Sequence, residues 1–276
     1  MYSEHLRVPV GAGSLHVERV GRAGPPVVLL HGFGTCTFLW RAVAPRLAEA
    51  GYTVIAVDLM GHGESDRPAD VSYELGAQAQ YVEQALTALR LPEAAVVGQD
   101  IGGLVALLLA AQRPARTRKI ALLEPPDPDD LPGPGIRVLQ RTSVRSALAA
   151  NTLFGARPLL EPLLRREVSQ PARMPDRLIA RYLAPFVGND GAAQLLQLAS
   201  AVALSDEERQ RIGDVAADVL LWVGAERGDE TVARLRGWRV ALPNATVRPL
   251  TVQARGSLVA EVAPLAVISA LQAWLA

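Results

Sequence analysis

The stretch Val96-Val97-Gly98-Gln99-Asp100-Ile101-Gly102-Gly103 constrains this chain more than any other, because it places an acidic residue between two glycines where an apolar run ends. The residues before Gly98 are β-branched and apolar, as a buried strand requires, and those after Gly102 carry the unbroken apolar spacing of a buried helix. A G-x-D-x-G corner joining a strand to a helix needs glycines where the backbone passes close to itself, and it pushes the central side chain out at the end of a sheet. A carboxylate in that position is placed to attack a ligand. The chain must therefore supply a sheet around the strand at 94–97 and a helix directly after Asp100.

The rest of the sequence supplies them. Residues 6–10 and 15–20 flank Gly11-Ala12-Gly13 and read as an antiparallel hairpin. The apolar run 26–30 reads as a buried central strand, and 38–50 has helical spacing with Gly51 as its stop. A second buried strand, 54–57, ends at Asp58; a long amphipathic helix covers 73–91; and a strand at 120–123 ends at Glu124. Strand and helix alternating in this way predict an α/β fold with a doubly wound, mostly parallel sheet. After Glu124 the rhythm breaks. Residues 125–134 hold five prolines among aspartates and read as an irregular connector, and the segments 138–150, 158–167, 175–186 and 192–202 then show only helical spacing. Strands return at 219–223 and 246–250, followed by a closing helix at 264–275. The expected organisation is a core formed by 1–124 and 213–276, with 125–212 as an inserted helical cap.

Composition narrows the function classes. A chain of 276 residues fits one large domain with an insertion, and a formal net charge of zero gives no electrostatic reason to expect nucleic acid or an anionic membrane as partner. No apolar run approaches the roughly 18–20 residues of a membrane-spanning helix, and the first residues lack the apolar core of a signal peptide. Cys36 is the only cysteine, which excludes an internal disulfide and suits a reducing cytoplasm. The four histidines, His5, His16, His31 and His62, form no ligand set with it, and neither a phosphate loop nor a dinucleotide fingerprint occurs, so no metal and no cofactor is expected. The expected partner is a small apolar organic substrate. A homodimer is one assembly open to such a chain.

Four segments in order carry a family resemblance: His31-Gly32-Phe33-Gly34 after the first central strand, Asp58-Leu59-Met60-Gly61-His62-Gly63-Glu64-Ser65-Asp66, the corner at Asp100, and Glu261-Val262-Ala263-Pro264 before the last helix. Together they resemble the α/β-hydrolase fold and, within it, the haloalkane dehalogenase and epoxide hydrolase branch. The resemblance implies that Asp100 is a nucleophile that attacks an sp³ carbon and leaves an alkyl ester on the enzyme. It also implies an oxyanion hole from the amides of Phe33 and Ile101, with Gly32 and Gln99 beside them. His31 and His62 would then hold their loops together.

The chain departs from that family at three places. The histidine that serves as base is expected near the C-terminus, but Ser257 stands there, in Gly256-Ser257-Leu258-Val259. The usual acid position, in the turn after 219–223, is Arg227, with Glu226 and Asp229 beside it; Glu124 matches the alternative acid position some dehalogenases use. Of the paired cap tyrosines that protonate an opening epoxide, Tyr182 is the single candidate. Without the histidine, ester hydrolysis loses a contribution of roughly 10²–10⁴-fold. The reading favoured by the sequence is therefore altered, non-hydrolytic chemistry at Asp100, an isomerisation, elimination or cyclisation on a small metabolite. Two alternatives stay open: an epoxide or haloalkane hydrolase whose water is activated by Glu124, and a binding protein that keeps the pocket without catalysis.

Overall fold

In the computed structural model the described residues are 3–117, 119–141, 155–168, 174–188, 190–224, 228–252 and 258–276. They form one eight-stranded sheet of order β1-β2-β4-β3-β5-β6-β7-β8, made of β1 (Ser3–Val10), β2 (Gly13–Val20), β3 (Pro26–Leu30), β4 (Thr53–Val57), β5 (Ala95–Gln99), β6 (Lys119–Leu123), β7 (Asp218–Gly224) and β8 (Thr246–Val252). The β1–β2 and β2–β4 pairs are antiparallel and every pair from β4 to β8 is parallel. The strand composition explains that division. Val27, Val28, Leu29 and Leu30 are fully buried, as are Val96 and Val97, because helices cover both faces of the parallel part. β1 alternates exposed and half-buried residues, as an edge strand with one wet face does.

The helices are α1 (Ala44–Glu49), α2 (Leu75–Ala88), α3 (Ile101–Gln112), α4 (Pro134–Gln140), α5 (Arg157–Arg166), α6 (Asp176–Leu183), α7 (Gly191–Ser200), α8 (Asp206–Gly213), α9 (Asp229–Ala241), α10 (Val259–Val262) and α11 (Pro264–Leu275). The first ten residues of α3 are all buried, so this helix forms the apolar centre behind the sheet. Among the described residues five helices, α4 to α8, lie between β6 and β7, where the sequence predicts only helices. α8 opens with a capping box in which Ser205 accepts from the amide of Glu208 and the Glu208 carboxylate accepts from Ser205.

Several boundaries differ from the sequence expectation for local reasons. The helix expected over 38–50 is two pieces, a 3-10 turn at Thr37–Trp40 and then α1, because Pro45 near the start of α1 donates no hydrogen bond back into the preceding turn. The helix expected over 138–150 appears as α4, whose chain turns extended at Arg141; the rest of that span lies outside the described residues. Pro185 ends α6 in a 3-10 turn before residue 186. α9 has no counterpart in the sequence reading.

Candidate active site

β5 delivers Asp100 at a backbone conformation of φ 53°, ψ −127°, a region that costs a non-glycine residue roughly 1–3 kcal/mol. The corner is held by two backbone bonds, from the Asp100 amide to Leu123 O at 3.0 Å and from the Gly103 amide to Asp100 O at 2.9 Å. Its glycines are steric necessities: a Cβ at Gly98 would stand 2.2 Å from Gly102 O, and one at Gly102 would stand 2.5 Å from both Leu30 O and His31 O. Gly32 has the same role toward the side chain, since a Cβ there would lie 2.8 Å from Asp100 Cβ and 3.0 Å from Oδ2. The space this leaves lets the Phe33 amide donate to Asp100 Oδ2 at 2.9 Å, and the Ile101 amide donates to the same carboxylate. Burial raises the Asp100 pKa to about 6, against the pull of those two amides and the more distant charge of Arg234. At pH 7 the carboxylate form still dominates, and it is poorly solvated.

A second carboxylate stands at the next strand end. Glu124 follows β6, also takes a positive φ of 47°, and donates its amide to Trp222 O at 3.0 Å. Its Oε1 accepts the Gly224 amide, and its Oε2 accepts Arg234 Nη1 at 2.9 Å. Arg234 comes from α9 and also donates to Pro125 O at 2.6 Å; both partners of this ion pair are buried. Sequence reasoning missed Arg234 because α9 itself was unread. The available signal was Asp229 and Glu230 in its first turn, which suit a helix N-terminus, followed by Val232, Leu235 and Trp238 at three-residue spacing.

Asp100, Glu124 and Arg234 line one cavity of about 270 Å³, whose other walls include Phe33, Ile136, Leu160 and Leu258. The helical segment between β6 and β7 thus forms one side of it. Acidic residues, Asp127, Asp130, Glu167 and Glu230, also border the cavity, so its wall is mixed rather than apolar throughout.

The remaining candidates divide sharply. Tyr182 is not a wall of this cavity: its hydroxyl donates to Glu261 Oε1, which Arg41 also holds at 2.5 Å. The apolar face of α6 buries Tyr182 with Leu178 and Ile179 and turns it toward Glu261 on α10. Gln99 is buried behind the corner, its Oε1 accepting the Ala260 amide at 3.2 Å, so it braces the site without facing the cavity. Asp229 is exposed at the start of α9. Ser257, Glu226 and Arg227 lie outside the described residues.

All four histidines are described, and none lines the Asp100 cavity. His31 bridges two loops, Nδ1 donating to Gly32 O at 2.8 Å and Nε2 accepting the Leu59 amide at 3.0 Å, which is the loop-holding role expected of it. His62 is buried beside Phe33 and Phe186, and burial lowers its pKa to about 3. His5 and His16 form a hydrogen-bonded pair at 3.0 Å on the β1–β2 hairpin, and His16 Nδ1 meets Asp58 Oδ2 at 2.7 Å. They line a separate cavity of about 480 Å³ with Glu64 and Arg181.

Comparison with known proteins agrees with this fold. Residues 25–226 match the family described as alpha/beta hydrolase fold, and the chain belongs to that family. Over 118 residues it is 39% identical to a haloalkane dehalogenase of Agrobacterium fabrum (43% of this chain, 38% of the relative), and over 113 residues 39% identical to bifunctional epoxide hydrolase 2 of Sus scrofa (41% and 20%). The matched stretches thus span well under half the length of these relatives. Among solved structures, Cfl2 wild-type from Burkholderia cenocepacia superposes with a TM-score of 0.82 at 25% identity, covering 99% of this chain and 95% of that one. The haloalkane dehalogenase DbeA from Bradyrhizobium elkani superposes at 0.79 with 26% identity, covering 99% and 97%.

Proposed function

We propose that the chain is a hydrolase acting on an sp³ carbon, an epoxide or alkyl halide, through an alkyl ester of Asp100. The observation that carries this reading is the strained, poorly solvated carboxylate whose Oδ2 sits 2.9 Å from the Phe33 amide, an arrangement able to attack with one oxygen and hold the other. In the first step one Asp100 oxygen displaces halide, or opens the epoxide, at carbon. In the second, water attacks the ester carbonyl, the amides of Phe33 and Ile101 hold the resulting oxyanion, and the alcohol or diol leaves. With no histidine at the cavity, the proton of that water goes to Glu124, the carboxylate that follows the carbonyl bonded to the Asp100 amide.

The sequence alone favoured non-hydrolytic chemistry because Ser257 replaces a histidine. Kinship with haloalkane dehalogenases and epoxide hydrolases supports the hydrolytic alternative over that reading. Incubation with 1,2-epoxyhexane and 1-bromohexane, followed by intact mass, tests it. A covalent adduct is expected in the wild type and none in Asp100→Asn. If neither reagent gives an adduct or a product, the hydrolytic reading falls.

A further inference from the structure

In the proposed hydrolysis Glu124 must present a free lone pair to water while held deep in the protein, and its partner is not a histidine but Arg234. We infer that Arg234 is a positioning residue for the second step: it holds the Glu124 carboxylate fixed in orientation, so that water between Glu124 and the alkyl-Asp100 ester is deprotonated as it attacks. The inference rests on the function proposed above.

Three observations support it. Glu124 is placed by a left-handed backbone turn directly beside the nucleophile corner, because the Asp100 amide is bonded to the carbonyl that precedes Glu124. Its two oxygens are held separately, Oε1 by the Gly224 amide and Oε2 by Arg234 Nη1 at 2.9 Å, which fixes the carboxylate plane and leaves one lone pair on each oxygen. The guanidinium is itself anchored, with Nη2 donating to Pro125 O at 2.6 Å on the connector that leaves β6. One fork thus spans the carboxylate and the backbone that carries it. Such an outer partner orients a reacting group much as the carboxylate behind a catalytic histidine does.

The proton balance is simple. A water O–H transfers its proton to Glu124 as the oxygen adds to the ester carbonyl of Asp100, and the oxyanion accepts from the Phe33 and Ile101 amides. When the tetrahedral adduct collapses, the C–O bond to the departing alkoxide breaks and Glu124 returns the proton to it; Asp100 is left carrying the second proton of the water and releases it to solvent, which regenerates both carboxylates. Charges facing Glu124 across the cavity are Asp100 from β5, Asp127 and Asp130 from the connector, Arg166 and Glu167 from the end of α5, and Glu230 from α9. Arg234 is the cation that the structure bonds to it.

The test separates the two steps at pH 8, where Asp100 is ionised with or without a neighbouring guanidinium. The wild type, Arg234→Lys, Arg234→Met, Glu124→Gln and the double variant Glu124→Gln/Arg234→Met are mixed with 1-bromohexane, and the rise and decay of the alkyl-enzyme are followed by intact mass. Thermal unfolding checks each fold, and the double variant, which removes both buried charges, covers the case in which Arg234→Met alone fails to fold. Arg234→Met is expected to slow decay of the adduct about 100-fold and its formation at least tenfold less than that. Arg234→Lys should recover part of the decay rate, and the double variant should be no slower than Glu124→Gln alone. Water labelled with ¹⁸O should appear in the Asp100 carboxylate of the wild type. Equal losses in both steps with no recovery by lysine, or an unchanged decay, would overturn the positioning role while the alkylation reading stands. A wild-type adduct that never decays would overturn Glu124 as base and Arg234 with it. Absence of any adduct would remove the parent reading and this inference together.

Discussion

Asp58 and Asp100 end two strands that flank β3 on either side, yet their carboxylates are treated in opposite ways. Asp58 Oδ1 accepts the Thr37 amide at 2.6 Å, and Oδ2 accepts both His16 Nδ1 at 2.7 Å and the Glu64 amide at 2.9 Å. Burial alone would raise its pKa, but the His16 hydrogen bond, the charges of the histidines and the backbone donor outweigh it and hold the group below the usual carboxylate range. Asp100 has only the Phe33 and Ile101 amides, both of which reappear as the oxyanion hole, and burial prevails. One carboxylate is satisfied as an anion and ties β2 to the segments at Thr37 and Glu64. The other is kept ionised but under-solvated at a strained corner, which is the state a nucleophile needs.

The comparison breaks most completely at the nucleophile. Asp100→Asn should abolish adduct formation with 1-bromohexane, read by intact mass. The same variant should be more stable than the wild type well above pH 6 by ~3 kcal/mol and no more stable below pH 4. The sign follows from the raised pKa: the folded state holds a proton that the unfolded chain has already released, so the penalty grows as pH rises from the ordinary carboxylate value of 3.8 to about 6. Asp58→Asn should do the reverse, losing about 3 kcal/mol at pH 7 in urea unfolding while leaving Asp100 alkylatable wherever the protein is folded. Asp58 stabilises the fold above its unfolded pKa, and that contribution fades as pH falls through its lowered folded value.

Gly32→Ala gives the next largest effect on chemistry. The added Cβ would need the space of Asp100 Cβ and Oδ2, at 2.8 and 3.0 Å, and would tilt the carboxylate off the Phe33 amide. Loss of about 100-fold in alkylation rate is expected, the scale of removing one oxyanion donor, with a modest change in unfolding temperature. An unchanged rate would show that the Phe33 amide does not hold the Asp100 carboxylate in its attacking orientation. Lowering the pH should produce a gentler version of the same loss. Wild-type alkylation is expected to fall about tenfold per pH unit below about 6, as Asp100 protonates.

The same contrast explains what the sequence could show. The corner at Asp100 was legible because its glycines are steric requirements: no other residue fits beside Gly102 O or Leu30 O, so the spacing is written into the chain. The central strands were legible from their unbroken apolar runs, and β6 from its abrupt end at Glu124. The role of Asp58 was hidden, because it depends on His16 meeting it from a hairpin 42 positions earlier in sequence. Arg234 was hidden for the same kind of reason. It lies 110 residues from Glu124, on a helix of mixed polarity, and no local pattern announces a contact of that range. Local steric rules are visible in one dimension; partners brought together by sheet order are not.

Tyr182 offers the smallest effect and a direct check on its reassignment. Its hydroxyl donates to Glu261, whose carboxylate also takes a two-pronged bond from Arg41 at 2.5 and 2.7 Å, so the residue joins α6 to α10 rather than to the cavity. Tyr182→Phe removes one donor and leaves Glu261 paired with Arg41. A loss of about 1–2 kcal/mol in urea unfolding is expected, as for a hydrogen bond to a charged group. Epoxide and halide alkylation should both stay within about twofold of wild type, since the hydroxyl does not face Asp100. A selective loss with 1,2-epoxyhexane and none with 1-bromohexane would return Tyr182 to the role of proton donor for an opening ring, and would mean that α6 moves toward Asp100 when ligand is bound.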